Sequence, residues 1–273
     1  MSKRIPQIIQ QTAQSIPNLS PQGQAVYSLL ADTIRENGQL PDYTSSSSSS
    51  SNSLLHLLFR VKVQRARRCG LGWHAISWWL AENYQYFCMN YLQQELLRDQ
   101  PDLPRDPFFF LKRDALTTAM TVFPEMVSSI LEQVRSADHL TETILAHSLL
   151  RNLWGNKADL SMSGGKVNQE EVKTDRANSL LVNDFEAVWQ YISTHSLKRV
   201  VICADNTGLE LLCDLMLIAV LLHFYQELKI VYVIKAMPVF VSDVTLPDME
   251  PTLRALEQDE HSGEWVISHD TIW

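Results

Sequence analysis

The chain has 273 residues, of which 45% are hydrophobic and 20% are charged, and its formal net charge is −8. This composition is typical of a globular protein with one large core or two unequal ones. The negative charge argues against nucleic acid or an anionic membrane as a partner. Four cysteines without a CxxC spacing predict reduced, buried thiols in a cytoplasmic protein. The most apolar stretch, residues 215–222, is too short to span a bilayer.

The first part of the chain is predicted to be helical. Apolar residues recur at helical spacing over residues 22–36, 114–134 and 141–153. A longer amphipathic helix is predicted from an aromatic stripe that we expect to face the core. The stripe consists of Ile76, Trp79, Leu80, Phe87, Cys88 and Tyr91. The serine-rich residues 44–53 predict a mobile surface loop, and the basic residues 60–68 predict a solvated helix face.

The pattern changes after about residue 178. Two short β-branched runs, residues 199–204 and 229–234, flank a helix-length apolar segment over residues 209–225. A strand, a helix and a strand in this order predict a βαβ unit with two parallel strands and a right-handed crossover. Because both runs are almost continuously hydrophobic, we expect the strands to be buried on both faces.

Polar residues follow each predicted strand. Asp205 and Asn206 come directly after the first, and Lys235 and Asp243 come after the second. Ligands of parallel sheets bind at the carboxyl ends of the strands, so these side chains are predicted to converge. Gathered carboxylates repel one another unless a cation neutralises them, and oxygen ligands suit Mg²⁺ or Mn²⁺. The following helix, beginning near Leu209, directs its N-terminus to the same edge, which favours a phosphate.

The same residues have simpler structural explanations. Asp205 could cap the following helix, Asn206 could adopt a left-handed conformation, and Asp243 could be an ordinary turn residue. Glu210 and Asp214, one helical turn apart, either orient the candidate ligands or are acids that favour a first helical turn. Spacing alone leaves both explanations open.

Three segments carry a resemblance to a known family. They are VICADNTGLELLCDL at 201–215, KAMPVFVSDVT at 235–245 and LWGNKADLS at 153–161. Together they resemble the motifs of the metal-dependent damage-control phosphatases, and most closely the branch formerly described as protein-glutamate carboxyl methyltransferases. The resemblance implies hydrolysis of small phosphorylated metabolites of the sugar-phosphate type.

The resemblance also implies a set of site residues. Asp205, Asn206 and Asp243 would hold a divalent metal ion, which could be Mn²⁺, Co²⁺, Ni²⁺ or Mg²⁺. The same three residues, with Lys235 and Asn156, would contact the phosphorylated substrate. Asp159 lies in the same motif as Asn156. No catalytic residue beyond the metal ligands is identified.

The resemblance predicts an α/β fold in which a helical N-terminal region, residues 1–177, packs on a three-layer α/β/α domain, residues 178–273. That domain is expected to be incomplete, because family members continue into a K-G-D-L-N-Y-R-like loop and an R-T-x-K segment after the stretch that ends here at Trp273. One alternative is therefore an inactive or split-gene fragment that binds metal without turnover and pairs with a separately encoded C-terminal fragment. A second is a carboxyl methyltransferase, against which the loop after the first strand offers only one glycine, Gly208.

Overall fold

The computed structural model describes residues 3–45, 54–155 and 180–258, which form two compact units. One unit comprises Met1–Leu111 with Pro238–Phe240, and the other comprises Lys112–Met237 with Val241–Trp273. The helices between residues 112 and 155 belong to the second of these units. The fold is α/β with a largely helical first part, which confirms the predicted fold class.

The first unit is helical in its described residues. Its main helices are α1 (Arg4–Ser15), α2 (Pro21–Arg35), α3 (Leu54–Arg68) and α4 (Trp78–Asp99), with a short 3₁₀ turn at Tyr43–Ser45. Helix α2 begins where the Ser20 hydroxyl accepts a hydrogen bond from the N–H of Gly23, and α4 begins similarly at Ser77. Helix α4 contacts each of the other three, so it forms the centre of this unit.

The aromatic stripe expected on α4 contributes to the core, but not along its whole length. Of the stripe residues, Leu80 and Cys88 are buried, and Phe87 stacks with the fully buried Tyr84 at a ring-centroid distance of 5.6 Å. Trp79 is 44% exposed, and Ile76 lies before the helix begins. The first unit therefore buries several faces of α4, and the predicted single stripe is only partly correct.

The helices of the second unit differ in one respect from prediction. The single helix expected over residues 114–134 is two helices, α5 (Phe109–Met120) and α6 (Phe123–Ser136). Pro124 lies in the first turn of α6, where its missing N–H and fixed φ are tolerated; inside a continuous helix it would break the hydrogen-bond ladder. The other helices of this unit are α7 (Glu142–Gly155), α8 (Phe185–Thr194) and α10 (Leu246–Gln258).

The predicted βαβ unit is confirmed. Strand β1 (Arg199–Cys203) pairs in parallel with β2 (Lys229–Val233), and α9 (Leu209–Phe224) connects them. Helix α9 is buried around most of its circumference, since Leu212 belongs to one apolar cluster with α6 and α7, and Leu215 belongs to another with α10. An almost uninterrupted apolar sequence is what such a helix requires.

The expectation that both faces of the sheet are buried is wrong for the described residues. Alternate residues of both strands are exposed, and Val201, Val231 and Val233 are 54%, 42% and 46% exposed. Their neighbours, including Ile202 and Ile230, pack against the apolar clusters of α9. Hydrophobic content alone does not reveal whether a second layer covers a strand.

Several smaller predictions have definite outcomes. The basic run 60–68 lies on α3 with most of its charged side chains exposed, as expected. Most of residues 44–53 lies outside the described ranges, although Thr44 is buried. All four cysteines are free, but Cys69 and Cys203 are exposed, so the prediction of buried thiols holds only for the other two. No helix in the described ranges is long and apolar enough to cross a membrane.

Candidate metal and phosphate site

Backbone hydrogen bonds bring the two predicted loops together at the carboxyl end of the sheet. The N–H of Val244 donates to the carbonyl of Asp205 over 2.8 Å, and the N–H of Thr207 donates to the carbonyl of Ser242 over 2.7 Å. A further bond runs from the N–H of Lys235 to the carbonyl of Val244 over 2.9 Å. Residues 242–245 therefore lie beside the ends of both strands, which places the sequence-predicted residues next to one another.

One ammonium group lies between the two predicted carboxylates. Lys235 Nζ donates to Asp243 Oδ2 at 2.7 Å and lies 3.9 Å from Asp205 Oδ1. Asp243 is 3% exposed, whereas the side chains of Asp205 and Lys235 are 51% and 40% exposed. Burial raises the pKa of Asp243, and Lys235 acts in the opposite direction. The two carboxylates thus converge on a single positive charge.

The Asn206 side chain completes the predicted ligand set. Its Nδ2 donates to Asp205 Oδ2 over 3.1 Å and to Glu210 Oε2 over 2.8 Å, and its Oδ1 accepts from the Ser242 hydroxyl over 2.6 Å. Asn206 and Ser242 are both buried. Because an amide oxygen has two lone pairs, the bond from Ser242 leaves one for a cation.

These residues fit a hard divalent cation in donor type. Two carboxylates and one amide oxygen are the ligands that Mg²⁺ and Mn²⁺ prefer, and the Lys235 ammonium marks a position where both carboxylates meet a cation. In the described part of the chain, no group of three or more His, Cys, Asp and Glu side chains is arranged to hold a metal ion. The candidate site therefore depends on Asn206 as its third ligand.

The simpler explanations for these residues do not match the structure. Helix α9 begins at Leu209 after Gly208, so Asp205 does not cap it. Asn206 and Asp243 pair with each other in a β-bridge, so Asp243 is not an isolated turn residue. Positive φ angles of non-glycine residues in the described ranges occur at Asn18, Asn37, Phe240 and Val241, and Asn206 is not among them.

Gly208 lets the loop after β1 pass close to α5. Its φ is 75°, and a Cβ at this position would lie 3.4 Å from the backbone of Ala115. Only glycine adopts this conformation without strain. Gly208 therefore allows α9 to begin directly beside the candidate ligands.

Two acids on α9 have different environments. Glu210 accepts a hydrogen bond from Asn206, so it orients a candidate ligand. Asp214 instead accepts from the hydroxyl of Tyr232 over 2.6 Å and from the amide of Asn152. Burial raises the pKa of Asp214, while these two donors act in the opposite direction. Asp214 links α9 to β2 and α7, and only Glu210 acts directly on the site.

The third motif contributes one described contact near the site. A Cβ at Gly155 would lie 3.0 Å from the Cα of Glu210, so the glycine permits close approach of α7 to the first turn of α9. Asn156 and Asp159, which the resemblance places near the substrate, lie outside the described residues.

Sequence reasoning did not identify Lys112. This buried side chain on α5 donates to the backbone carbonyl of Asp243 over 2.8 Å and to Asp248 Oδ2 over 2.9 Å. Asp248 Oδ2 also accepts from the N–H and hydroxyl of Thr245. Lys112 therefore anchors the segment that carries Asp243. Its signal in the sequence is weak, since a lysine in an amphipathic helix usually lies on the surface.

The backbone just before Ser242 and Asp243 is unusual. Phe240 and Val241 have φ angles of 50° and 71°, a region that non-glycine residues rarely enter and that β-branched residues avoid. Such strain persists only where surrounding contacts fix the chain, and it is concentrated at functional sites.

Comparisons with known proteins identify the family of this chain. Residues 1–273 match the family described as the damage-control phosphatase ARMT1-like domain. Proteins named damage-control phosphatase ARMT1 are 29% identical over 222 residues in Xenopus tropicalis, 28% over 220 in Danio rerio and 26% over 234 in Homo sapiens. Each alignment covers 74% of this chain and 49%, 48% and 52% of those relatives, so the chain spans about half their length. The chain belongs to the damage-control phosphatase ARMT1-like domain family.

Proposed function

We propose that this chain is a metal-dependent phosphatase that hydrolyses small phosphorylated metabolites of the sugar-phosphate type. The main support for the proposal is that the carboxylates of Asp205 and Asp243 both lie within 4 Å of the Lys235 ammonium. Membership of a family whose relatives are named damage-control phosphatases supports the reaction class.

Asp205, Asn206 and Asp243 would hold the divalent metal ion, for which Mn²⁺, Co²⁺, Ni²⁺ and Mg²⁺ are the candidates. When bound, such an ion supplies Lewis-acid polarisation of a phosphoryl oxygen. Glu210 and Ser242 hold the Asn206 amide from its two sides, and Lys112 holds the Asp243 backbone. These contacts fix the orientation of the ligands before substrate arrives.

Two positively polarised groups would bind the substrate phosphate. The Lys235 side chain is 40% exposed, so a substrate phosphate would reach its ammonium from solvent. The first turn of α9 follows Gly208 directly, and its N–H groups and dipole favour an anion. Both the Lys235 ammonium and the N-terminus of α9 would contact the phosphate and not the rest of the substrate. A small phosphorylated metabolite is therefore sufficient for recognition.

The test is metal reconstitution followed by phosphatase assay. After chelator treatment, the full chain is titrated with Mn²⁺ by calorimetry and assayed on a panel of sugar monophosphates. We expect binding near one equivalent and turnover that requires the metal. Asp205→Ala and Asp243→Ala should each lower Mn²⁺ affinity by at least about tenfold, since each removes a charged ligand.

Glu250→Ala is the matched control, because it removes an exposed carboxylate on α10 away from the candidate ligands. This variant should bind Mn²⁺ as the wild-type chain does. Unchanged Mn²⁺ affinity in both Asp205→Ala and Asp243→Ala would reject the metal site, and with it the proposed reaction.

A second candidate function is metal binding without turnover, in which a separately encoded polypeptide completes the site. The exposed valines of the β1–β2 sheet favour it, because parallel sheets are normally covered on both faces. Mn²⁺ binding that depends on Asp205, combined with no turnover on any phosphorylated substrate, would select this candidate. Turnover by the chain alone would reject it.

We also infer a cytoplasmic location. All four cysteines are free, including the exposed Cys69 and Cys203, which is the state expected in a reducing compartment. Fractionation of cells that express the tagged chain tests this inference.

A further inference from the structure

We propose that the Lys235 ammonium and the divalent metal ion compete for the carboxylates of Asp205 and Asp243, so that metal binding releases Lys235 to bind the substrate phosphate. The inference rests on the proposed function, because it concerns the same two carboxylates. In this proposal Lys235 pairs with the carboxylates when the metal is absent and with the phosphate when the metal is bound.

The competition follows from the distances at the site. Lys235 Nζ is 2.7 Å from Asp243 Oδ2 and 3.9 Å from Asp205 Oδ1. A divalent ion bonded to these oxygens lies about 2.0–2.6 Å from each of them. It would therefore come within a few ångströms of the ammonium, and two positive charges at that separation repel each other strongly.

Lys235 is the partner that has freedom to leave. Its side chain is 40% exposed, whereas Asp243 is 3% exposed and its backbone is held by Lys112 and by pairing with Asn206. A lysine places its charge on a flexible four-carbon stem, and ion pairs that reach solvent contribute little to stability. The Asp243 carboxylate is fixed while the ammonium is movable.

A displaced ammonium has a new partner nearby. Because Lys235 lies two residues after the end of β2, it stays at the carboxyl end of the sheet, where α9 also begins. A phosphate bound there would accept hydrogen bonds from Lys235 and would benefit from the helix dipole. Metal and phosphate should therefore bind in that order, each strengthening the binding of the other.

Lys235→Met separates this inference from a purely structural role. Calorimetry of the chelator-treated full chain should show Mn²⁺ binding on the order of tenfold tighter in the variant, because a competing charge about 4 Å away is removed. Inorganic phosphate added to the Mn²⁺-loaded variant should bind several-fold more weakly than to the wild type. If Lys235 only stabilises the local structure, the variant should bind both Mn²⁺ and inorganic phosphate more weakly than the wild type.

Lys229→Met is the matched control, since this exposed lysine at the start of β2 carries the same charge outside the carboxylate cluster. It should change neither affinity by more than about twofold. Lys235→Gln is the second variant if Lys235→Met folds poorly, as it keeps a hydrogen-bond donor without the charge. Circular dichroism confirms folding in each case.

The outcomes distinguish the two proposals. Mn²⁺ binding by the wild type, with equal or weaker binding by Lys235→Met and Lys235→Gln, would overturn the competition and leave the metal site standing. Failure of the wild type and both variants to bind Mn²⁺ would reject the metal site, and the competition with it.

Discussion

The Ser242 hydroxyl donates a hydrogen bond of 2.6 Å to the amide oxygen of Asn206, and both side chains are buried. This bond determines which way the amide faces, because it directs Nδ2 toward Asp205 and Glu210. It also joins the loop after β1 to the segment after β2 through side chains as well as backbone. Ser242 is thus a positioning residue for a candidate metal ligand.

Ser242→Ala should weaken Mn²⁺ binding by about tenfold, the usual effect of removing a group that orients a metal ligand. It should also lower the free energy of unfolding by about 1 kcal/mol, because one buried hydrogen bond is lost. Calorimetry and urea denaturation measure the two effects. Ser193→Ala, which removes an exposed hydroxyl on α8, is the control. Wild-type Mn²⁺ affinity in Ser242→Ala would contradict the positioning role.

Lys112→Met should destabilise the chain by about 3 kcal/mol, because it removes the buried partner of a largely buried ion pair and leaves Asp248, whose side chain is 11% exposed, without this cation. Urea denaturation of the full chain measures the loss. Arg113→Met, next in sequence but with an exposed side chain, should cost no more than about 1 kcal/mol. Equal losses in the two variants would show that burial of the Lys112–Asp248 pair has no special effect.

The convergence of Asp205 and Asp243 could be predicted because it depends on local patterns. Two β-branched runs separated by a helix-length segment define a parallel pair, and the residues after parallel strands meet at one edge. The type and order of these elements follow from hydrophobic periodicity, so the sequence was sufficient to place both carboxylates in one cluster.

Other parts of the site depend on contacts that no local pattern encodes. Lys112 reaches the Asp243 carbonyl across 131 positions of sequence, and neither residue type predicts the other. The left-handed backbone at Val241 contradicts the preference of a β-branched residue, so it follows from tertiary constraints. The exposure of Val201 was missed because burial of a strand depends on which elements cover it.

Gly208→Ala should lower the free energy of unfolding by about 1–3 kcal/mol. The backbone at φ 75° and ψ −130° disfavours any residue with a side chain, so the cost comes from backbone strain, while a Cβ would meet Ala115 at a contact distance of 3.4 Å. Because Gly208 directly precedes α9, the same variant should weaken Mn²⁺ and phosphate binding. Urea denaturation and calorimetry measure these effects.

Gly70→Ala is the control for Gly208→Ala. Gly70 has a φ of 66°, but no atom lies within 4 Å of a Cβ built there, so its substitution introduces backbone strain without crowding. We expect a loss of about 1–2 kcal/mol and unchanged Mn²⁺ affinity. A smaller loss in Gly208→Ala than in Gly70→Ala would mean that the loop before α9 is less constrained than its backbone geometry indicates.

The pH dependence of stability should report on Asp214. Burial raises its pKa above the ordinary value of 3.8, so the folded chain binds this proton more tightly than the unfolded chain does. The stability that protonation contributes is therefore present below about pH 4 and is lost as the pH rises through the folded pKa. Asp214→Asn removes this dependence. The free energy of unfolding of the wild type minus that of the variant should consequently decrease as the pH rises from 4 to 8.

Urea denaturation of both proteins at several pH values in this range measures that difference directly. Glu250→Gln, which alters an exposed carboxylate on α10, is the matched control. If this difference in the free energy of unfolding instead increases with pH, the hydrogen bonds from Tyr232 and Asn152 outweigh burial and lower the pKa of Asp214. In that case the carboxylate would be held as an anion, and its negative charge would add to that of Asp205 and Asp243 and strengthen the attraction for a metal ion.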